Sequence, residues 1–272
     1  MQSEPYIADR LTPKIVAAYC KREGIDFRAF SDEWVLRLAK GDLIRWIVGN
    51  TFDLNGSAAG DIAQDKVATY ILLHAAGIKA VPHYLVRSFP RELVHAQELH
   101  DALDDVAVVA KPLAGMAGRD VNRFGSVGEA LSMIRSSGEP AWALSPHVDV
   151  EAEYRLIMLD DVLLLSYEKT QPYIRSGLKL FNLSLGALPT DIENDALERQ
   201  LTGIAQAVMR TMALRLAAVD IVRVSDQTLK VLEVNDSIST EHYARHSANN
   251  KKRATALYER LVVAMFNLPL HR

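Results

Sequence analysis

Two carboxylates and an amide sit close together late in the chain: Asp220 in Val219-Asp220-Ile221, and Glu233 and Asn235 in Leu232-Glu233-Val234-Asn235. The β-rich runs 217–224 and 229–235 flank a turn at 225–228 and predict a hairpin. A symmetric register sets Asp220 opposite Glu233, Val222 opposite Val231 and Val224 opposite Leu229. Period-2 alternation then puts Asp220, Glu233 and Asn235 on one face. Like charges opposed at about 5 Å repel each other, so this face is either open to solvent or holds a counter-charge. Two carboxylates and an amide oxygen are hard ligands that suit Mg2+, and the apolar Val222 and Val224 beside Asp220 argue against a solvated surface.

A second group is cationic. Lys111-Pro112 ends the buried strand 106–111, and Gly115 and Gly118 follow. A lysine fixed at a strand end, next to a glycine loop whose amides can approach an anion, makes a phosphate cradle; the bland reading is a strand-edge lysine and an ordinary turn. Lys66 lies in the first turns of a helix, where lysines are usually solvated. His242 and His246 share an i, i+4 spacing, but no third ligand lies nearby, so a substrate-side loop or an exposed helix is expected rather than a zinc site. Trp34, Trp46 and Trp142 are expected in the core.

The elements that position these residues follow from periodicity and caps. Residues 13–23 predict a helix, 25–30 a strand, 31–40 a helix capped by Ser31, and 43–48 a strand, which together suggest a small parallel unit with right-handed crossovers. After the Gly- and Asn-rich stretch 50–60 comes an amphipathic helix capped by Asp61, with Val67, Ile71, Leu72 and Ala75 as its apolar face and Gly77 at its end. A strand at 80–87 and a helix at 93–103 follow. Residues 106–145 read as strand, glycine loop, strand, helix and strand, with Ser126 and Glu129 as a capping box. Beyond them come a hairpin around Asp160-Asp161, a strand at 178–183, a long helix at 191–213, the carboxylate hairpin and a closing helix at 250–266. The fold class is mixed α+β (α/β), without internal repeats.

At 272 residues the chain suits one large or two small domains. Its 31 basic and 34 acidic side chains leave a net charge of −3, without the basic stripe of a nucleic-acid binder. The lone Cys20 excludes an internal disulfide framework and suits a reducing compartment. No apolar run approaches the ~20 residues that span a bilayer, and the first ten residues lack a signal core, so a cytoplasmic protein is expected. The P-loop, dinucleotide-fold, nucleophile-elbow and zincin motifs are all missing.

The order of the pieces resembles the ATP-grasp superfamily, in particular its carboxylate-amine ligases of the ribosomal-protein-glutamate-ligase and D-alanine-D-alanine-ligase kind. The resemblance runs over about residues 60–240. It is carried by Asp65-Lys66, Ala76-Gly77-Ile78 with Val81-Pro82, Val109-Ala110-Lys111-Pro112 with Gly115 and Gly118, Glu153-Tyr154-Arg155, Val219-Asp220-Ile221 and Leu232-Glu233-Val234-Asn235.

The resemblance implies an ATP-grasp fold with a shortened N-terminal α/β subdomain (1–60), a linking helix-strand-helix segment (61–105), a small lid subdomain (106–148) and a C-terminal core with the metal site (149–272). It implies ATP with Mg2+ or Mn2+. Lys66 and Lys111 would contact the phosphates, the loop from Gly115 to Gly118 would close over them, Ser145 to Val148 would line the adenine edge, and Glu153 would bind ribose. Asp220, Glu233 and Asn235 would hold the metal, and Arg155, Arg175 and Asn182 would face the transferred phosphoryl group. The hinge, Ser145 to Val148, departs from the family: it reads Ser145-Pro146, and proline has no N–H to offer adenine, so His147 must supply the donor. The implied activity is ADP-forming ligation of a small-molecule or peptide carboxylate to an amine or thiol, on a monomer or on a homo-oligomer that completes the shortened region. The rivals are a kinase on the same scaffold and a non-catalytic ATP-binding scaffold protein.

Overall fold

A computed structural model describes residues 9–88, 96–113, 115 and 119–267. Helix α1 (Leu11–Glu23) carries Pro13 in its first turn and ends at Gly24, which takes a left-handed φ of 67°. Strands β1 (Asp26–Phe30), β2 (Val35–Lys40), β3 (Leu43–Val48) and β4 (Thr51–Phe52) then form an antiparallel meander in that order.

The helix expected over 31–40, and with it the parallel crossover unit, is therefore replaced by strand. Ser31, Asp32 and Glu33 all take positive φ, a sharp turn in which no α-helix can start. Beyond the turn, Leu36 and Leu38 bury with a period of two. Of the three tryptophans expected inside, Trp142 is buried and Trp46 is 42% exposed on the outer face of β3. Trp34 lies under the Arg10 guanidinium.

Helix α2 (Ser57–Gln64) leads directly into α3 (Lys66–Ala75). The cap of α3 is Asp65, not Asp61: its Oδ1 accepts from Val67 N and Ala68 N, both at 2.9 Å. The buried face of α3 is Val67, Thr69 and Leu73, and the expected face residues Ile71 and Leu72 point outward.

Next come β5 (Tyr84–Arg87), α4 (Ala96–Leu103), β6 (Val108–Pro112), β7 (Asn122–Phe124), α5 (Val127–Ser136) and β8 (Ala141–Pro146). The four strands make an antiparallel lid sheet, ordered β5-β8-β6-β7, whose apolar face packs on α4 and α5 through Leu99, Leu103, Leu131, Ile134 and Trp142. Ser126 caps α5 as expected by accepting from Glu129 N.

The remaining chain builds the core sheet from β9 (Val150–Leu159), β10 (Val162–Thr170), β13 (Leu188–Thr190), β14 (Leu216–Val224) and β15 (Leu229–Asn235), ordered β13-β10-β9-β14-β15 and antiparallel throughout. A two-stranded ribbon, β11 (Tyr173–Arg175) and β12 (Leu178–Leu180), projects between β10 and β13 in the chain. One face of the core sheet packs on α2, α3 and α6 (Asp195–Thr211), and the other on α1, the meander, α7 (Glu241–His246) and α8 (Ala248–Phe266). Among the described residues no helix is long and apolar enough to cross a membrane.

Each core hairpin contains one irregularity. Asp220 pairs with Glu233 as expected, but the register then slips past Leu232, so Ile221 pairs with Val231 and Arg223 with Leu229. The pairs expected at Val222–Val231 and Val224–Leu229 are displaced by one residue. In β9–β10 the slip falls between Leu163 and Leu165, which brings Lys169 rather than Glu168 opposite Glu153. Both are β-bulges, which twist a strand and re-aim the side chains beyond them.

Candidate active site

The lid sheet and the core sheet face each other across a cavity of about 320 Å3. That is within the size range of small-ligand sites. Its walls include Lys66, Lys111, Gly115, Ser145, His147, Val148, Glu153, Arg155, Asn182, Asp220, Glu233 and Asn235. Twelve of the fourteen residues that the resemblance assigns to the site thus line one space, as does His242 of α7. Gly118 lies outside the described residues. Arg175 does not line the cleft: it stands on the exposed ribbon strand β11, and its Nη2 donates to Val121 O at 2.7 Å.

On the core sheet, Asp220 is buried and accepts from Arg155 in bidentate fashion, Nε at 2.8 Å and Nη2 at 2.6 Å, and from Lys169 at 3.1 Å. Lys169 also meets Glu153 Oε1 at 2.5 Å. Burial alone would raise the Asp220 pKa, yet the Arg155 and Lys169 charges outweigh it and hold the carboxyl down at about 2. Burial pushes Glu153 up, and Lys169 only partly offsets it. For Lys169 burial favours the neutral form, but Asp220 and Glu153 keep its pKa above the ordinary value.

On the facing wall, Lys66 Nζ donates to Gly115 O at 2.7 Å and to Leu113 O at 3.4 Å, and it lies 3.3 Å from Glu233 Oε1. It therefore ties Leu113 and Gly115 to the carboxylate hairpin. Lys111 keeps some exposure through the cleft, but protein encloses its ammonium enough for desolvation to lower its pKa. Behind it, His83 is buried, with Nδ1 bonded to Val81 O at 2.9 Å and Nε2 3.5 Å from Lys111 Nζ. Burial, with Lys111 as the next cause, lowers the His83 pKa well below its usual value.

At the hinge, Ser145 and Pro146 continue β8 against β6. The donor expected from His147 is committed elsewhere: its N–H donates to Ala107 O at 2.7 Å, extending the same strand pair. The His147 ring lines the cleft, and burial lowers its pKa.

A divalent cation fits the hairpin donors. Among the described residues no group of three His, Cys, Asp or Glu side chains converges to hold a metal, so the donor set is two carboxylates and an amide. Asp220 Oδ2 takes only the Arg155 Nη2 bond among those described above, which leaves it a lone pair. Asn235 Nδ2 is buried with no hydrogen-bond partner, and a half-turn of the amide would put its oxygen there instead.

Lys169, His83, Tyr167 and Asn50 were not singled out from the sequence. Lys169 is brought to Glu153 by the β10 bulge, which no pattern of residues announces. Asn50 reaches the cleft from the β3–β4 turn, held by Arg10 Nη2 at 3.1 Å and by the pairing of Thr51 with Ser237.

The same two-sheet arrangement occurs in solved ligases. D-alanine–D-alanine ligase from Bacillus anthracis superimposes with a TM-score of 0.61 at 16% identity, covering 79% of this chain and 70% of that one. D-cycloserine synthetase DcsG gives 0.55 at 22% identity over 74% and 71% of the two chains. A bifunctional glutathione synthetase from Pasteurella multocida gives 0.56 at 16%, covering 92% of this chain and 43% of its own. At these identities the likeness establishes the ATP-grasp fold. No curated protein sequence matches the chain. The model of the RimK-like ATP-grasp domain family matches residues 63–256, and the chain belongs to that family.

Proposed function

We propose that this chain is an ATP-dependent ligase that joins a carboxylate to an amine or thiol through an acyl phosphate, releasing ADP and phosphate. The observation that carries the reading is the meeting of Lys66 and Lys111 with Asp220, Glu233 and Asn235 in one cleft between two sheets. Cations on one wall suit the nucleotide's phosphates, and the hard oxygen donors opposite suit Mg2+ or Mn2+. The metal, when bound, supplies charge neutralisation between phosphate oxygens.

In the proposed reaction a substrate carboxylate oxygen attacks the γ-phosphorus and the bond to the ADP oxygen breaks. The amine or thiol then attacks the acyl carbon, phosphate leaves with the C–O bonding pair, and the nucleophile's proton passes to solvent. Such transfer asks the protein mainly for positioning and charge complementarity. Lys66 moves from the loop carbonyls to the phosphates, Arg155 steadies the transferred phosphoryl group beside Asp220, and Asn182 borders the acceptor side. The glycine loop shields the acyl phosphate from water. Ser145, His147 and Val148 line the base and Glu153 faces the ribose, with the N–H of His147 left on Ala107. The N-terminal meander contributes only Asn50 to the cleft. We place the protein in the cytoplasm.

Pooled small carboxylates with amines or hydroxylamine, assayed for ADP and hydroxamate, test this reading. Hydroxamate formation is expected. A stable phosphorylated product would convert the reading to a kinase, and nucleotide binding with no ADP under any mixture would convert it to a binding scaffold. Glu233→Gln is expected to lower kcat/KM at least about a hundredfold with an unchanged melting curve.

A further inference from the structure

Lysines held inside protein normally meet a carboxylate, and two in this cleft do. Lys169 lies against Glu153 and Asp220, and Lys66 against Glu233. Lys111 is different. Among the described residues no carboxylate forms an ion pair with it: Glu233 and Glu153 favour its charged form only from farther off, and the side chain within hydrogen-bond reach of its ammonium is the imidazole of His83.

The surroundings fix how that imidazole acts. Val81 O has no hydrogen to give, so the 2.9 Å bond places the His83 proton on Nδ1. Nε2 is then left as an acceptor facing Lys111, the tautomer control familiar from metal-bound histidines. Val81 is itself pinned: its N–H donates to Val231 O, and Val231 N donates to Lys79 O, both at 2.9 Å. His83 is thus anchored to β15, two residues from Glu233, while Lys111 belongs to β6 of the lid sheet. His83 does not line the cleft; it stands behind the lysine that does.

We propose that His83 is a positioning residue that holds the Lys111 ammonium at the cleft wall with a neutral acceptor, so that Lys111 keeps its whole positive charge for the phosphates of a bound nucleotide. A carboxylate in the same place would hold the lysine as well but would cancel its charge and compete with phosphate. An apolar side chain would preserve the charge and lose the aim. The 3.5 Å separation is at the outer edge of hydrogen bonding, and such a length in a ligand-free site does not exclude the role. This inference rests on the proposed nucleotide site.

Calorimetric titration of the full chain with a non-hydrolysable Mg·ATP analogue tests it, comparing the wild type with His83→Gln, His83→Glu and His83→Leu, each checked by thermal melting. His83→Leu is expected to weaken binding about tenfold, the worth of one hydrogen bond to a charged group. His83→Gln, a neutral acceptor, should stay within about threefold of wild type. His83→Glu should bind more weakly than His83→Gln although the two side chains have the same shape. Wild-type affinity in His83→Leu, or equal or tighter binding in His83→Glu than in His83→Gln, overturns the role of His83 alone. If His83→Leu does not fold, the Gln and Glu pair decides. No binding by the wild type overturns the nucleotide reading, and this inference with it.

Discussion

On the core-sheet wall of the cleft, Arg155 and Lys169 stand against Asp220 and Glu153, two cations closed on two anions within one hydrogen-bonded group. On the lid wall, Lys111 has, among the described residues, an imidazole and no carboxylate within hydrogen-bond reach, with Glu233 and Glu153 acting on it from farther off, and it lines the cleft. The first wall is neutral as built and depends on every member for its stability. The second holds a lysine whose charge burial disfavours and Glu233 and Glu153 only partly offset, and under the proposed function an anionic ligand would complete the compensation. A lysine's role in this fold is therefore set by its acceptor more than by its burial.

Removing an anion from the neutral wall should have the largest effect on stability. Asp220→Ala leaves Arg155 and Lys169 buried without their counter-charge and is expected to cost about 3–5 kcal/mol in chemical denaturation. Lys111→Met removes a cation that burial already disfavours, so it should cost less than about 1 kcal/mol, or stabilise, while abolishing the heat of nucleotide binding. Equal losses in the two variants would erase the distinction between the walls. Asp220 is consequently a poor variant for testing catalysis alone, and Glu233→Gln is the cleaner one.

Acid separates the walls next. Asp220 has a folded-state pKa of about 2 against an ordinary 3.8, so its contribution is complete above the ordinary value and disappears as pH falls through about 4 towards 2. That contribution is about 2 kcal/mol, and Asp220→Asn should lack this part of the acid transition.

The effect at the mildest pH belongs to His83, whose pKa is also depressed, in its case from 6.5 by burial first. The unfolded chain takes up a proton below that value and the folded chain does not. Stability should therefore decline on acidification below about pH 6.5, by at most about 1.4 kcal/mol per pH unit from this group. His83→Gln should flatten that slope. An identical slope in the variant would mean that His83 is protonated in the fold.

The regularities of spacing explain how much of this was legible in the sequence. Asp220 opposite Glu233 followed from a turn at 225–228 and a period of two, and the lid's order of strand, loop, strand, helix and strand followed from caps and breakers. What stayed hidden depended on departures from regularity. A symmetric β9–β10 hairpin pairs Glu153 with Glu168, and only the slip between Leu163 and Leu165 substitutes Lys169. Segment 31–40 satisfied helical spacing at Trp34, Val35 and Leu38 and strand spacing at Leu36 and Leu38, and the turn at 31–33 decided between them. The resemblance implied that Arg175 faces the phosphoryl group, but the ribbon that carries it aims it at Val121 O.

Glu241 binds the start of α1: its carboxylate accepts from Leu11 N at 2.8 Å and Thr12 N at 3.0 Å, and α1 packs on α8. The residues so joined are 230 apart in the chain. At ribosomal rates of roughly 5–20 residues per second, α1 emerges on the order of ten to fifty seconds before its partner. Helix α1 therefore waits for the segment that holds its N-terminus and is among the later parts of this fold to reach its native packing. During that interval the inner face of the meander, with Leu36, Leu38 and Ile47, has α1 beside it but lacks the part of its cluster that the core sheet, α7 and α8 supply.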